Sequence, residues 1–303
     1  LQSADNQEWG YQLTFFRRRL SSSLPARTSR WGATDIYFAH FAVTDVTGQR
    51  IRFADRNARG SELGLAGASA EPYRVFVRDW SAEGSGDVVK LQAEDGGARL
   101  NVDLRAVKPP MLQGKEANGL SSKGAGEGNA SYYYSLPRMA TDGTIVLNGV
   151  EHAVSGTSWM DHEWGTWGFA EGQTGWDWFG LQLDDDRELM WGQLRRADGS
   201  LDLAYGAISQ PDGSVTPLDQ SQVVVTATTT WTSPHTGARY PAGWRIQIPG
   251  ENVDISVTPR LADQELRVGA FVYWEGSVAV EGTVGGTGYV ELTGYGARGQ
   301  LLR

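Results

Sequence analysis

Short stretches that alternate apolar and polar residues, broken by Gly- and Asp-rich turns, run through most of this chain. That period of two is the mark of strands with one buried face. Glu8 to Phe16 opens the series with aromatic and β-branched residues. Ile36 to Thr44 follows. It carries Tyr37, Ala39, Phe41 and Val43 on one face and Ile36, Phe38, His40 and Ala42 on the other. Both faces are apolar, which predicts a strand covered on both sides. His40 then either points into a pocket or is a satisfied core histidine. Tyr73 to Trp80 alternates as one further strand, and the segment before it, Gly60 to Pro72, reads as loop. Val88–Glu94 and Ala98–Val107, joined at Asp95-Gly-Gly, predict a hairpin.

Lys108-Pro-Pro-Met closes this first series. The Gly-, Ser- and Lys-rich stretch 113–129 reads as a boundary or a covering loop. The expected division is an N-terminal domain over 1–129 and a C-terminal domain over 130–303. In the second half, Asp142-Gly and Asn148-Gly are both hairpin signals. Trp176–Leu183 and Glu188–Arg195 predict a long hairpin around Asp184-Asp-Asp. Strands over 201–208, 222–228 and 240–248 continue the pattern, and 273–280 with 288–295 make a last hairpin. No stretch has a convincing helical period. The reading is all-β, a sandwich or barrel.

Composition narrows the functional classes. With 303 residues and a hydrophobic share of 40%, the chain can build one large or two medium β domains. Its net charge of −9 opposes nucleic acid as a partner. No apolar run approaches the roughly eighteen residues of a membrane-spanning helix. Cysteine is absent, which excludes disulfides without fixing a compartment. The chain starts at Leu1 without an initiator Met and reads like the inside of a longer protein. An export signal preceding it is compatible with that start.

Candidate chemistry concentrates in one place. Five of the twelve tryptophans, Trp159, Trp164, Trp167, Trp176 and Trp178, share a short stretch with Asp161, His162, Glu163 and Asp177. Burying proton-carrying groups against indole rings shifts their pKa values, which is how acid–base sites are usually made. A zinc site has little support: there are four histidines, no cysteine and no His-Glu-x-x-His, and neighbours along a strand point to opposite faces. Neither a Gly-x-Ser-x-Gly elbow nor a dinucleotide loop is present. The alternative to a site is an aromatic core whose charges are satisfied by arginines or backbone.

The segment Ser155 to Gly165, with Gly175-Trp-Asp-Trp-Phe, resembles the carotenoid 1,2-hydratase family and its AttH-like relatives, a lipocalin-like superfamily. Gln12–Arg18, Ala130–Arg138, Tyr273–Gly276 and Gly288–Tyr295 support the resemblance over nearly the whole chain, in order. One departure is at the front. Relatives carry an upstream Glu-Trp-Trp-Tyr strand, and Glu8-Trp9 is not its equivalent, so the first strand of the N-terminal barrel is expected to be missing here.

The resemblance implies two lipocalin-like antiparallel β-barrel domains packed side by side. It also implies no cofactor and an apolar small-molecule ligand. Members hydrate isoprenoid double bonds or plant phenolics, or shape polyketide cyclisations. Many bacterial members are exported and labelled only as hydrolases, which implies a periplasmic or extracellular location. The mechanism that follows is acid-catalysed hydration of an isoprenoid- or lipid-like alkene. Asp161, kept protonated by burial, is the expected acid, and His162 is expected to orient it or take the proton from the incoming water. The family pattern also marks Trp164. Trp159, Trp176 and Trp178 would face the cation. Tyr132, Tyr134, Asp177 and Glu275 are further substrate-binding candidates. The rival readings are a non-catalytic lipid or isoprenoid carrier and a hydrolase, the latter without an evident nucleophile.

Overall fold

The computed structural model describes residues 1–296 except 24–28, 86, 127, 167 and 270. Trp167 therefore lies outside the described residues. Among the described residues the chain is almost wholly strand, and the one helical element is a single 3₁₀ turn at Pro249–Glu251. The fold is all-β, made of curled antiparallel sheets of the lipocalin type. No helix is long and apolar enough to cross a membrane.

The chain forms two compact units, and neither is a continuous stretch. One comprises Leu1–Ala106 with Ala140–Ser158, the other Val107–Met139 with Trp159–Arg303. The units thus divide differently from the expected boundary at 129/130. The physical reason is strand length. Ala130–Leu147 and Val150–Gly165 have 18 and 16 residues, and each gives one half to either unit.

In the first unit, Trp9–Arg19, Asp35–Asp45 and Arg50–Gly60 form a three-stranded sheet. His40 is a core histidine there, packed beside Phe16 and Phe38, and burial lowers its pKa to about 4. Two turns depart from the sequence reading. The expected strand Tyr73–Trp80 is broken: Val77 pairs with Trp80 around a tight turn in which Arg78 has φ 60°. The supposed loop before it contains the strand Ala66–Ser69, which pairs with Arg74–Val77. Conversely, Asp142-Gly143 makes no turn, and its strand runs straight through. Glycine is needed at 143 because a Cβ there would sit 2.7 Å from the Val102 Cα of the crossing backbone. At Asn148-Gly149 the expected hairpin turn does form, with φ values of 52° and 82°.

In the second unit, nine strands lie in the order 215–219, 201–209, 188–196, 173–183, 286–293, 271–282, 253–259, 239–248 and 224–232. Alternation assigns their two faces. Phe179, Leu181, Leu183, Trp191, Trp244, Trp274, Val278 and Leu292 belong to one large buried cluster. The opposite face carries Met190, Tyr205, Ala207 and Trp178, which pack with Met111, Tyr133 and Trp159. Along Gln173–Leu183, Trp176 and Trp178 therefore share one face of this sheet, and Asp177 and Phe179 share the other.

Candidate active site

The strand Val150–Gly165 presents Trp159, Asp161 and Glu163 to one side and His162 and Trp164 to the other. Its neighbour Ala130–Leu147 supplies Ser131, Tyr133 and Ser135 to the first side, all three buried. Three donors converge on Asp161. Tyr133 Oη donates to Oδ2 at 2.7 Å, while Ser135 Oγ and Trp159 Nε1 donate to Oδ1 at 2.6 and 2.7 Å. Each donor is itself held. Trp178 Nε1 donates to Tyr133 Oη at 3.0 Å, Gln113 Nε2 donates to Ser135 Oγ at 2.9 Å, and the Trp159 and Trp178 rings meet edge to face.

Asp161 is reached by solvent, yet burial is the strongest influence on its proton affinity. Its carboxyl packs among Tyr133, Ser135 and Trp159 in a recess that is open to solvent. Burial raises its pKa to about 6, and the hydrogen bonds from Ser135, Tyr133 and Trp159 pull the other way.

Two more carboxyls face the same recess. Glu275 and Glu291 are direct cross-strand partners on 271–282 and 286–293, and Trp178 pairs with Glu291 from the next strand. Trp176 Nε1 donates to Glu291 Oε1 at 2.9 Å. Burial raises the pKa of both glutamates. Repulsion between them raises Glu275 further, and the charge of Asp161 acts on both. Among the described residues, no lysine or arginine pairs with Asp161, Glu275 or Glu291. The nearby cation, Lys123, is committed elsewhere. Its Nζ lies 2.6 Å from Glu163 and 3.0 Å from Tyr205 Oη, and Tyr205 also bonds Ser121. Burial pulls the Lys123 pKa down, but Tyr205 and Glu163 outweigh it and the net shift is upward.

The structure thus brings together Trp159, Asp161, Trp176, Trp178 and Glu275 from the expected set and separates the others. His162 does not touch Asp161. It lies across the strand, sharing a hydrogen bond with Tyr134 Oη at 3.1 Å and packing beside Trp164. It neither orients Asp161 nor stands where it could relay that group's proton, because adjacent strand residues point opposite ways. Trp164 stacks on Tyr132, and these rings are 49% and 57% exposed. Tyr132, Tyr134, His162 and Trp164 therefore form an outer aromatic patch. Asp177 faces neither the recess nor the patch. It is buried beneath Arg195 at 2.8 Å, with Gln193 and Tyr295 completing its hydrogen bonds, and it is a structural ion pair.

The sequence reading missed Tyr133, Ser135 and Glu291. Glu291 carried a usable signal, since the final hairpin predicted over 273–295 places it close to Glu275. Among the described residues no cluster of three or more His, Asp or Glu has the geometry to hold a metal ion. Half-open cavities of about 320 and 380 Å³ lie away from the carboxyls, the first beside Leu218, Ile248 and Glu251 and the second in the other unit.

Fold and site together define a lipocalin-like β protein with a water-reached, carboxyl-rich recess walled by indoles. The chain belongs to the AttH-like family, whose model matches residues 1–295. It is similar to the crystal structure of an AttH protein from Nitrosomonas europaea, with 32% identity over 97% of this chain and 90% of that one and a TM-score of 0.86. It shares its fold with kievitone hydratase from Nectria haematococca at 15% identity, covering 96% of this chain and 85% of that one, with a TM-score of 0.75. A search of curated proteins found no match.

Proposed function

We propose that this protein is a hydratase or hydro-lyase that acts on an apolar, isoprenoid- or lipid-like alkene with its own carboxyls as acid and base. The observation that carries the reading is the group of three carboxyls, Asp161, Glu275 and Glu291, that share a recess with indoles and have no cationic partner among the described residues. Like charges placed face to face retain a proton between them near neutrality. The Glu275–Glu291 pair is then the acid that delivers a proton to one alkene carbon. Asp161, expected from the sequence to be the protonated acid, accepts three hydrogen bonds and with a pKa of about 6 is mostly ionised at neutral pH. In this reading it is instead the base that takes a proton from the water adding to the other carbon. One water is consumed, and the proton lost by the pair returns through solvent. In this reading the indoles of Trp159, Trp176 and Trp178 face the carbocation, each contributing on the order of 1–2 kcal/mol when desolvated. The kinship with a kievitone hydratase fold agrees with this chemistry without naming the substrate.

A carrier of lipids or isoprenoids is the second reading. It is favoured by the exposed Tyr132–Trp164 stack, an apolar surface that takes no part in proton transfer.

Native mass spectrometry of the protein purified from its own source identifies a bound apolar compound. That compound is then incubated with the protein in ¹⁸O-water. The enzyme reading expects a product that gains one labelled water, with turnover abolished in Asp161→Asn while binding persists. Recovery of the compound unchanged from the wild-type protein overturns it in favour of the carrier.

A further inference from the structure

The first unit contains a cavity of about 380 Å³ that the proposed chemistry does not use. It is framed by the turn between Asp35–Asp45 and Arg50–Gly60, by the start of Trp9–Arg19, and by the Asn148-Gly149 hairpin with the strand that follows it. Its volume is in the range of sites that hold one small organic molecule.

Its wall is organised around a fixed guanidinium. Asp45 is buried, and both its oxygens are taken: Oδ1 accepts from Gly48 N–H at 2.6 Å and Oδ2 from Arg50 Nη2 at 2.6 Å. The carboxylate, buried behind the guanidinium, orients Arg50. The Arg50 side chain remains 51% exposed and lines the cavity. Such a fork, held from behind by an aspartate, matches the planar geometry of a carboxylate.

The same cavity has an aromatic part to its wall. The His152 ring packs on buried Trp9 at 4.7 Å, tilted by 46°. The Trp9 N–H is turned to Ser3 Oγ at 3.4 Å, and the indole backs the His152 ring in the cavity wall. Leu147 and Val150 extend that wall, and Gln7 and Thr47 add polar groups at the edge. The Thr47 hydroxyl already accepts from Glu8 N–H at 3.1 Å, so its proton is available to a ligand oxygen.

We propose that this cavity is a binding site for a small organic anion with a flat apolar body, an aryl carboxylate. Its carboxylate pairs with Arg50 and its ring lies against His152 and Trp9. The site is independent of the Asp161 recess.

The test is isothermal titration of the intact chain with benzoate and with the neutral match benzamide, with ring-proton NMR of His152 as the locator. The expected result is saturable one-to-one binding of benzoate that shifts His152. Benzamide should bind at least about tenfold weaker, the loss of one charge-assisted pair. Arg50→Gln should erase that preference in a protein that still folds, its thermal melt lowered because buried Asp45 loses its partner. Gly48→Ala offers a second route, because its Cβ would lie 2.7 Å from Asp45 Cγ and 2.9 Å from Arg50 Nη2 and would dislodge the guanidinium. It should weaken benzoate in parallel. Equal binding of the two probes, absence of benzoate binding, or full benzoate affinity in a folded Arg50→Gln protein overturns the proposal.

Discussion

Asp161 and Asp177 look alike in sequence, since each is an aspartate with tryptophans close on both sides. The structure gives them opposite fates. Asp177 is sealed beneath Arg195 and also bonded by Gln193 and Tyr295, so its charge is neutralised where it sits. Asp161 receives three good hydrogen bonds, but all come from neutral donors, and two further carboxyls share its recess. Burial acts on both residues. What separates a structural carboxylate from a reactive one is whether the same burial also supplies a cation.

The largest effect should come from taking the cation away. Arg195→Met leaves Asp177 charged, buried and unpaired, which costs about 3–5 kcal/mol. Urea unfolding at neutral pH measures it. A loss below about 1 kcal/mol would mean that Asp177 is no better compensated than Asp161.

The opposite change in the recess should stabilise. Glu275 and Glu291 hold protons more tightly in the folded protein than in the unfolded chain. The native state therefore binds more protons above the ordinary glutamate pKa, and stability falls as pH rises toward the raised values. Glu275→Gln removes that cost. Melts should show a gain of about 1–2 kcal/mol at mildly alkaline pH that fades as the pH approaches about 4. A gain that persists at acid pH would point to packing rather than charge.

The smallest effect concerns the outer patch. His162→Ala should change stability by no more than roughly 0.5 kcal/mol, as for an open surface position. It should also leave the titration of Asp161 in place, since the two residues lie on opposite faces. A shift of the Asp161 titration would join the two faces electrostatically and return His162 to the proton chemistry.

Much of this was legible in the chain. Alternation and turn residues predict the long hairpin at Gln173–Arg196 and the last one at Phe271–Thr293, and the clustering of tryptophans and acids locates the site. Which side chains meet was not legible, and the reason is register. Counting back from a two-residue turn at Asn148-Gly149 would set Tyr134 opposite Glu163, on the face of Asp161. The hydrogen bonds instead place Tyr134 beside His162 and Ser135 beside Asp161, one residue out of step. A one-residue slip exchanges the two faces of a strand, so Tyr133 and Ser135 enter the recess while Tyr132 and Tyr134 leave it. Asp177 was misread for a related reason. Trp176-Asp-Trp marks a face for the rings and another for the carboxyl, but nothing local shows that Arg195 waits on the second.

The central claim is that the recess holds carboxyls without a counter-charge and keeps a proton near neutrality. Carboxyl-carbon NMR of the intact chain, titrated from about pH 3 to about pH 9, tests it most directly. The account predicts that Asp161 titrates at about 6 and that at least one of Glu275 and Glu291 titrates well above the ordinary glutamate value of about 4.3. Titration of all three below about 5 would contradict it.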